Sequence, residues 1–476
     1  MLTMVMTRLL GLALVPLGLL LSACSEAPDA APVAPVVMIG IDGIDPGILA
    51  DLIDAGRVPT FERFAKEGTL GTLGTFAPTF SPVIWTTIAT GQDMEAHGVQ
   101  DFLDPEGRPY TSNARRVPAL WDLVSDAGLT VDCTGWWITW PAERISGRMV
   151  ASYAAQAQAK IIWKPTLWDK MESQTWPPEL QAEIKPFLTL ASEPEELHPL
   201  MRRAFAIPDK VDKRTGRLIN DLAWTMAADL SVSSVAGHLL DTGAADLSMC
   251  YLAMPDVAGH RFWKFFRPED ERYEVPKKDV EAFGDFINAA YIEADRMLGD
   301  LLAKAPEGAT VIVLSDHGMH VDPMNIYEED ALASGAHEDA PAGIFGVLGG
   351  QAAKLGNKLR DSAPLGDVYD VAPMTLHLLG LPVPSHWRSL AQKAVPLERC
   401  LDEAWRVEHP LERGPNSDSD FRPATPSTVP AAGSDEAFLE SFSALGYLDG
   451  IETPEKPEAP VPAPKENDPT TPDSAQ

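Results

Sequence analysis

Apolar residues along this chain fall into short continuous runs separated by amphipathic stretches. The run VVMIGI at 36–41 ends in Asp42-Gly43, as expected of a strand buried on both faces that delivers polar groups at its carboxyl end. Comparable runs recur in TLGTLGTF from Thr69, LTVDCTGWW from Leu129, LSMCYLAMP from Leu247, ATVIVLSDHG from Ala309 and GIFGVLG from Gly343. Between them the period lengthens to that of a helix, from Pro46 to about Ala55 and in PALWDLVSDAG, VEAFGDFINAAYIEADRMLGDLLAKA and DVYDVAPMTLHLLG. Strand followed by helix, repeated, predicts an α/β fold whose largely parallel central sheet carries helices on both faces.

The rhythm breaks between residues 141 and 240. This portion is rich in Trp, Pro, Glu and Lys, lacks clear buried strands, and holds one long helical pattern, DLAWTMAADLSVSSVAGHLL. It reads as an inserted cap or side lobe between two halves of a core, 36–140 and 241–400. A C-terminal extension follows at 401–451, and 452–476 is an acidic, Pro-rich tail without periodicity, the composition of a disordered segment.

The start of the chain has a different character. An apolar run from Leu9 to Leu21 precedes Leu21-Ser22-Ala23-Cys24, which predicts a secretion signal over 1–23. The ending resembles a bacterial lipobox, so the expectation is a protein lipid-anchored through Cys24 on the extracytoplasmic side of the cell envelope, with residues 24–35 as a Pro/Ala tether. Cys133, Cys250 and Cys400 then remain, an odd set with no Cys-x-x-Cys pair and no thiolate metal site. The formal charge of −31 disfavours nucleic acid and anionic lipid as partners. An anionic substrate would need local positive charge, which bound cations supply.

In open α/β sheets ligands bind beyond the carboxyl ends of the strands, and here those ends carry chemistry. Asp42 follows VVMIGI, Asp256 and His260 follow MCYLAMP, Asp316 and His317 follow TVIVLS, and His337 precedes GIFGVLG. Carboxylate oxygen and imidazole nitrogen in this proportion suit zinc or manganese, and three of each is an inventory for two ions. Asp316 and His317 are adjacent, so both face one site only if LSDHGM turns, which Gly318 permits. A further stretch, TFAPTFSPVIWTTIATG at 75–91, crowds six hydroxyls into one helix start: Thr75, Thr79, Ser81, Thr86, Thr87 and Thr90.

Taken in order, the strand ending in Asp42-Gly43, a Ser or Thr ahead of a helix ending in Thr90-Gly91, Asp256-x-x-x-His260, Ser315-Asp316-His317-Gly318-Met319 and a later lone His337 resemble the alkaline phosphatase superfamily. Within it they are most similar to the type I phosphodiesterase and nucleotide pyrophosphatase branch, over roughly 36–140 and 240–385. The resemblance implies a two-metal phosphohydrolase acting on a phosphate diester or monoester. One ion would be held by Asp42, Asp316, His317 and the nucleophile, and the other by Asp256, His260 and His337. The family's reaction is two in-line displacements, the first made by an enzyme hydroxyl. Its register places that hydroxyl at Ser81, with Thr79 as the alternative; Ser as N-cap and Pro82 at the first helical position fit the local chemistry.

Two departures are visible. The family's nucleophile is commonly Thr, followed three residues later by Asn, where this chain has Ser81 and Ile84, and Pro82 offers no N–H to a phosphoryl oxygen. Both argue against nucleotide pyrophosphatase activity in particular. Trp136, Trp137 and Trp140 are candidates for an aromatic platform or for packing. Two other classes of function remain open at this level: transfer of the phosphoryl group to an envelope alcohol, and a metal-binding scaffold without catalysis.

Overall fold

The computed structural model describes residues 34–105, 110–152, 173–189, 194–208, 210–388 and 395–415. The predicted signal, Cys24, most of the predicted tether, the tail and the C-terminal extension beyond residue 415 lie outside these residues.

All six apolar runs form strands of one ten-stranded sheet: β1 (Val36–Ile41), β2 (Thr69–Gly74), β3 (Val131–Thr134), β6 (Leu247–Leu252), β7 (Thr310–Leu314) and β10 (Gly343–Gly349). Two short strands, β4 (Gly147–Val150) and β5 (Thr175–Trp176), extend one edge beyond β3. At the other edge, β11 (Gly356–Lys358) and β12 (Gly366–Asp367) both pair with β2. The run β7, β1, β6, β3, β4 is parallel throughout, whereas β10 runs antiparallel to both of its neighbours, β7 and β2.

β1 is central and buried along its whole length, which explains its unbroken apolar run. Val37, Ile39 and Ile41 point into the main core, shared with the helices Pro46–Asp54, Met254–Phe266 and Phe286–Leu302. On the opposite pleat Gly40 lies so close to the rings of Trp85 and Trp136 that a Cβ would not fit, and here the Ser81–Thr90 helix covers the sheet. Helices therefore occupy both faces, as the pattern predicts.

The 141–240 stretch is tied into this body. It contributes β4 and β5, and the helix Lys213–Asp241 packs on β6 and β3. These two strands escape sequence reading because they are short: a strand of two to four residues leaves no periodicity to detect. The long pattern from Val280 to Ala305 divides into two helices, Lys277–Phe283 and Phe286–Leu302. Gly284, with its low helix propensity, sits at the break. A separate two-stranded ladder, β8 (His320–Val321) with β9 (Gly335–Ala336), stands beside the carboxyl end of β7.

Candidate functional site

The polar ends of β1, β6 and β7 converge as the strand order requires, because β1 lies between the other two. Asp42 leaves the tip of β1 with its backbone N–H donating to Leu252 O at 2.9 Å. Gly43 then turns with φ +70°, and its α-carbon approaches Asp256 so closely that a Cβ would lie 2.6 Å from the Asp256 Cα. Only glycine accepts both that φ and that contact. Asp256 and His260 occupy one face of the Met254–Phe266 helix a turn apart, as the i, i+4 spacing predicts.

All six sequence-predicted metal candidates meet here. Asp42, Asp316 and His317 offer ligand atoms within 4.8 Å of one another, and so do Asp256, His317 and His337. His317 Nε2 lies 3.2 Å from Asp42 Oδ1 and 3.4 Å from Asp316 Oδ2. His260 Nε2 lies 3.4 Å from Asp256 Oδ1 and 3.1 Å from His337 Nε2. The rings of His317 and His337 stack at 3.8 Å, so the two groups adjoin. Every candidate is buried or nearly so.

Each imidazole is turned the same way. The Nδ1–H of His260 donates to Gly335 O at 2.7 Å, and that of His317 to Gly318 O at 2.9 Å. His337 Nδ1–H donates to Thr79 Oγ1 at 2.9 Å, while the Thr79 hydroxyl donates to His337 O at 2.7 Å. In all three it is Nε2 that is turned toward the carboxylate groups, the orientation that a ligating histidine needs. Asp42 is divided similarly. Its Oδ2 accepts from Tyr251 Oη at 2.5 Å and from Trp85 Nε1 at 3.1 Å, and its Oδ1 is left toward His317.

The buried carboxylates raise the proton affinity of the groups around them. Burial lowers the affinity of His317 for a proton, yet Asp316 and Asp42 overcome this and raise it to about 10. Burial and the neighbouring Asp42 charge push Asp316 well up. Burial also tends to raise Asp42, but the adjacent His317, 3.2 Å away, and its charge bring it below the ordinary range. Burial and the charges on His317 and His260 keep His337 neutral. The buried atoms without a hydrogen-bond partner include Asp42 Oδ1, both oxygens of Asp256 and of Asp316, His317 Nε2 and Ser81 Oγ. Leaving so many buried acceptors unpaired costs several kcal/mol in all, unless a divalent cation takes them as ligands. The donor set of nitrogen and oxygen without sulfur fits such a group.

The hydroxyl-rich turn resolves into distinct roles. Thr86 and Thr90 donate back to Pro82 O and Thr86 O, the usual fate of a helical threonine. Thr87 contacts His97 at 3.1 Å, and Thr79 holds His337. Only Ser81 and Thr75 keep hydroxyls without a partner. Ser81 does not cap its helix, contrary to the sequence expectation: Phe80 is the N-cap, and its carbonyl accepts from the N–H groups of Val83 and Ile84. The Ser81 hydroxyl, 1 % exposed, is therefore not spent on capping. Trp85 lies a turn later on the same face and touches Asp42, and Thr79 lies two residues earlier and touches His337. Ser81 is thus bracketed by contacts to both groups.

Several supporting residues went unseen in the sequence. Tyr251 and Trp85 secure Asp42, and Ser315 Oγ accepts from Ile44 N–H and donates to His317 O, tying the two turns together. Asp229, a lone carboxylate in the apolar stretch of the Lys213–Asp241 helix, accepts from the amides of Ala253 and Met254; burial pushes it up to about 7. A solitary Asp among Met226, Ala227, Ala228 and Val232 was the available signal. Trp136, Trp137 and Trp140 are at most 2 % exposed. They form packing rather than a platform, with Trp136 set edge-on to Trp85 at 5.1 Å.

The chain was compared with known proteins. Residues 36–347 match the family model for type I phosphodiesterase / nucleotide pyrophosphatase. The comparison with curated proteins found no match. Among solved structures, phosphonoacetate hydrolase from Sinorhizobium meliloti 1021 is similar at 18% identity and a TM-score of 0.38, over 61% of this chain and 57% of its own. A 2-O GAG sulfatase aligns at 11% identity and a TM-score of 0.46, over 76% of this chain and 74% of its own. Murine ectonucleotide pyrophosphatase/phosphodiesterase 5 aligns at 14% identity and a TM-score of 0.40, over 73% of this chain and 95% of its own. The chain thus spans little more than half the length of the phosphonoacetate hydrolase. The family match, which covers most of the described body, carries the assignment: this chain belongs to the type I phosphodiesterase / nucleotide pyrophosphatase family of phosphoester hydrolases.

Proposed function

We propose that the protein hydrolyses a phosphate ester, diester or monoester, through a phosphoseryl intermediate on Ser81, with two divalent ions in the site. Asp42, Asp316 and His317 would hold one ion beside Ser81, and Asp256, His260 and His337 the other. The observation that supports this reading is a coincidence of unpartnered buried atoms: those of Asp42, Asp256, Asp316 and His317 lie together at the strand ends, and the unpartnered Ser81 hydroxyl sits on the helix start whose neighbours Trp85 and Thr79 touch Asp42 and His337. When bound, the ions neutralise phosphate charge and stabilise the attacking and departing oxygens. Three nitrogens and three carboxylates suit zinc, with manganese as the second choice.

The chain's own groups perform the rest. Ser81 loses its proton and its Oγ attacks phosphorus, while the bond to the departing alcohol or phenol breaks and that oxygen takes up a proton. Water then attacks the phosphoserine opposite the Ser81 oxygen, from the side the first leaving group vacated, giving up a proton as the Ser81 oxygen regains one, so the net reaction consumes one water. The start of the Ser81–Thr90 helix places the positive end of its dipole at the reacting serine, which favours negative charge there. Thr79 acts by orienting His337 and is not the nucleophile in this scheme.

The apolar run ending in Cys24 supports placing this chemistry at the cell envelope, held by a lipid on the extracytoplasmic side. The functional test is parallel assay of zinc- and manganese-loaded protein on an aryl phosphate monoester and a diester, with Ser81→Ala beside the wild type. The expected result is hydrolysis of at least one ester by wild type and a loss of about three orders of magnitude or more in kcat for Ser81→Ala. Failure of loaded wild type on both esters would overturn the hydrolase reading, and full activity of Ser81→Ala would overturn the nucleophile.

A further inference from the structure

We propose that Asp229 is a positioning residue for the Asp256–His260–His337 group, acting through the first amides of the helix that carries Asp256 and His260. The inference rests on reading that group as a metal site. The first N–H groups of any helix lack intrahelical acceptors, and the Met254–Phe266 helix has no local cap: Ala253 has no side-chain oxygen, and Pro255 follows in the first turn.

Asp229 supplies the missing acceptors from another element. Its Oδ1 accepts from Ala253 N–H at 2.9 Å and its Oδ2 from Met254 N–H at 2.8 Å. The side chain is 2 % exposed and forms no ion pair among the described residues, so these two amides, at the positive end of the helix dipole, are the partners that hold its oxygens.

The consequence for the site is geometric. Asp256 follows Met254 by two residues and His260 follows Asp256 by a turn, and each helical residue advances the side-chain direction by about 100°. Two hydrogen bonds at the first amides fix the rotation of the helix about its axis. With it they fix where Asp256 and His260 point. Asp42 and His317 hang from β1 and β7 instead, and the side chains that hold them, those of Tyr251, Trp85 and Ser315, all lie outside this helix. Loss of Asp229 should therefore loosen the Asp256–His260–His337 group more than the other.

The test is calorimetric titration of the metal-stripped full chain with Zn2+, for wild type, Asp229→Ala and Asp229→Asn. The wild type should bind two ions. In Asp229→Ala one affinity should fall about 10- to 100-fold and the other clearly less, and raised Zn2+ should restore hydrolysis. Asp229→Asn keeps one acceptor and should show a smaller fall at the same step; it carries the test if the alanine variant does not fold. Affinities equal to wild type in both variants, or an equal loss at both steps, overturn the inference. A wild type that binds fewer than two ions overturns the two-metal reading itself, a separate outcome.

Discussion

At the scale of single residues, the site is organised by the division of each polar group into a held atom and a presented one. Asp42 is the clearest case, with Oδ2 fastened by Tyr251 and Trp85 and Oδ1 turned to His317. Tyr251→Phe removes the shorter of these bonds and keeps the ring that packs edge-on to Trp85 at 5.0 Å. Hydrogen bonds to a charged group are worth about 1.5–3 kcal/mol, so the expected effect is a fall of about tenfold or more in affinity for one ion, with Tm little changed. Zinc titration of the variant checks this, and an affinity equal to wild type would remove Tyr251 from the site's support. The convergence of the six candidates was foreshadowed at Asp42, Asp256 and Asp316–His317, where an apolar run stops at a polar group, while His260 followed from its i, i+4 spacing and His337 only from its place ahead of a strand. Tyr251 was not legible, since inside LSMCYL it looks like any other buried aromatic. Ser81 was legible as a position and misjudged in its local role: the cap falls one residue earlier, at Phe80, a boundary that sequence propensity does not resolve.

Among elements, the Ser81–Thr90 helix must be held at a fixed depth for its first hydroxyl to reach the site. Its far end is anchored by His97, on the short Met94–His97 helix. His97 Nδ1 accepts from Val99 N–H at 3.2 Å, which leaves Nε2–H to donate to Thr87 Oγ1 at 3.1 Å. The ring is therefore neutral in the folded protein, and burial together with the Arg115 charge lowers its pKa to about 3. An unfolded histidine takes up a proton near pH 6.5. Between these values the unfolded chain binds the extra proton, so the stability that neutral His97 contributes is intact above about pH 6.5 and is lost as pH falls toward about 3. The slope reaches at most about 1.4 kcal/mol per pH unit. His97→Gln keeps hydrogen-bonding capacity without that proton. Urea unfolding at a series of pH values should show a shallower acid-side decline for the variant, and identical slopes would contradict this account. Elements with long apolar runs were readable, and β4 and β5 were not, because their pairing depends on β3 rather than on any pattern of their own.

The molecule as a whole reconciles strong acidity with an anionic substrate. Its −31 charge repels phosphate at a distance, but that field is screened within about 10 Å at 0.1 M salt, and the local balance at the strand ends decides binding. Three carboxylates there, against the two divalent ions proposed, would leave an excess of about one positive charge before Ser81 ionises. Fold class was legible at this scale because alternating buried strands and amphipathic helices admit few arrangements. The antiparallel course of β10 was not, since GIFGVLG reads the same in either direction. The central claim is that Ser81 carries the phosphoryl group between the two displacements, and it is tested most directly by trapping. Metal-loaded protein would be mixed with an aryl phosphate ester that it hydrolyses, quenched in acid within a single turnover, and its peptides examined by mass spectrometry. The account predicts a phosphoryl group on Ser81 in wild type and none in Ser81→Ala. A phosphoryl group on Thr79, or turnover by Ser81→Ala at the wild-type rate, would contradict it.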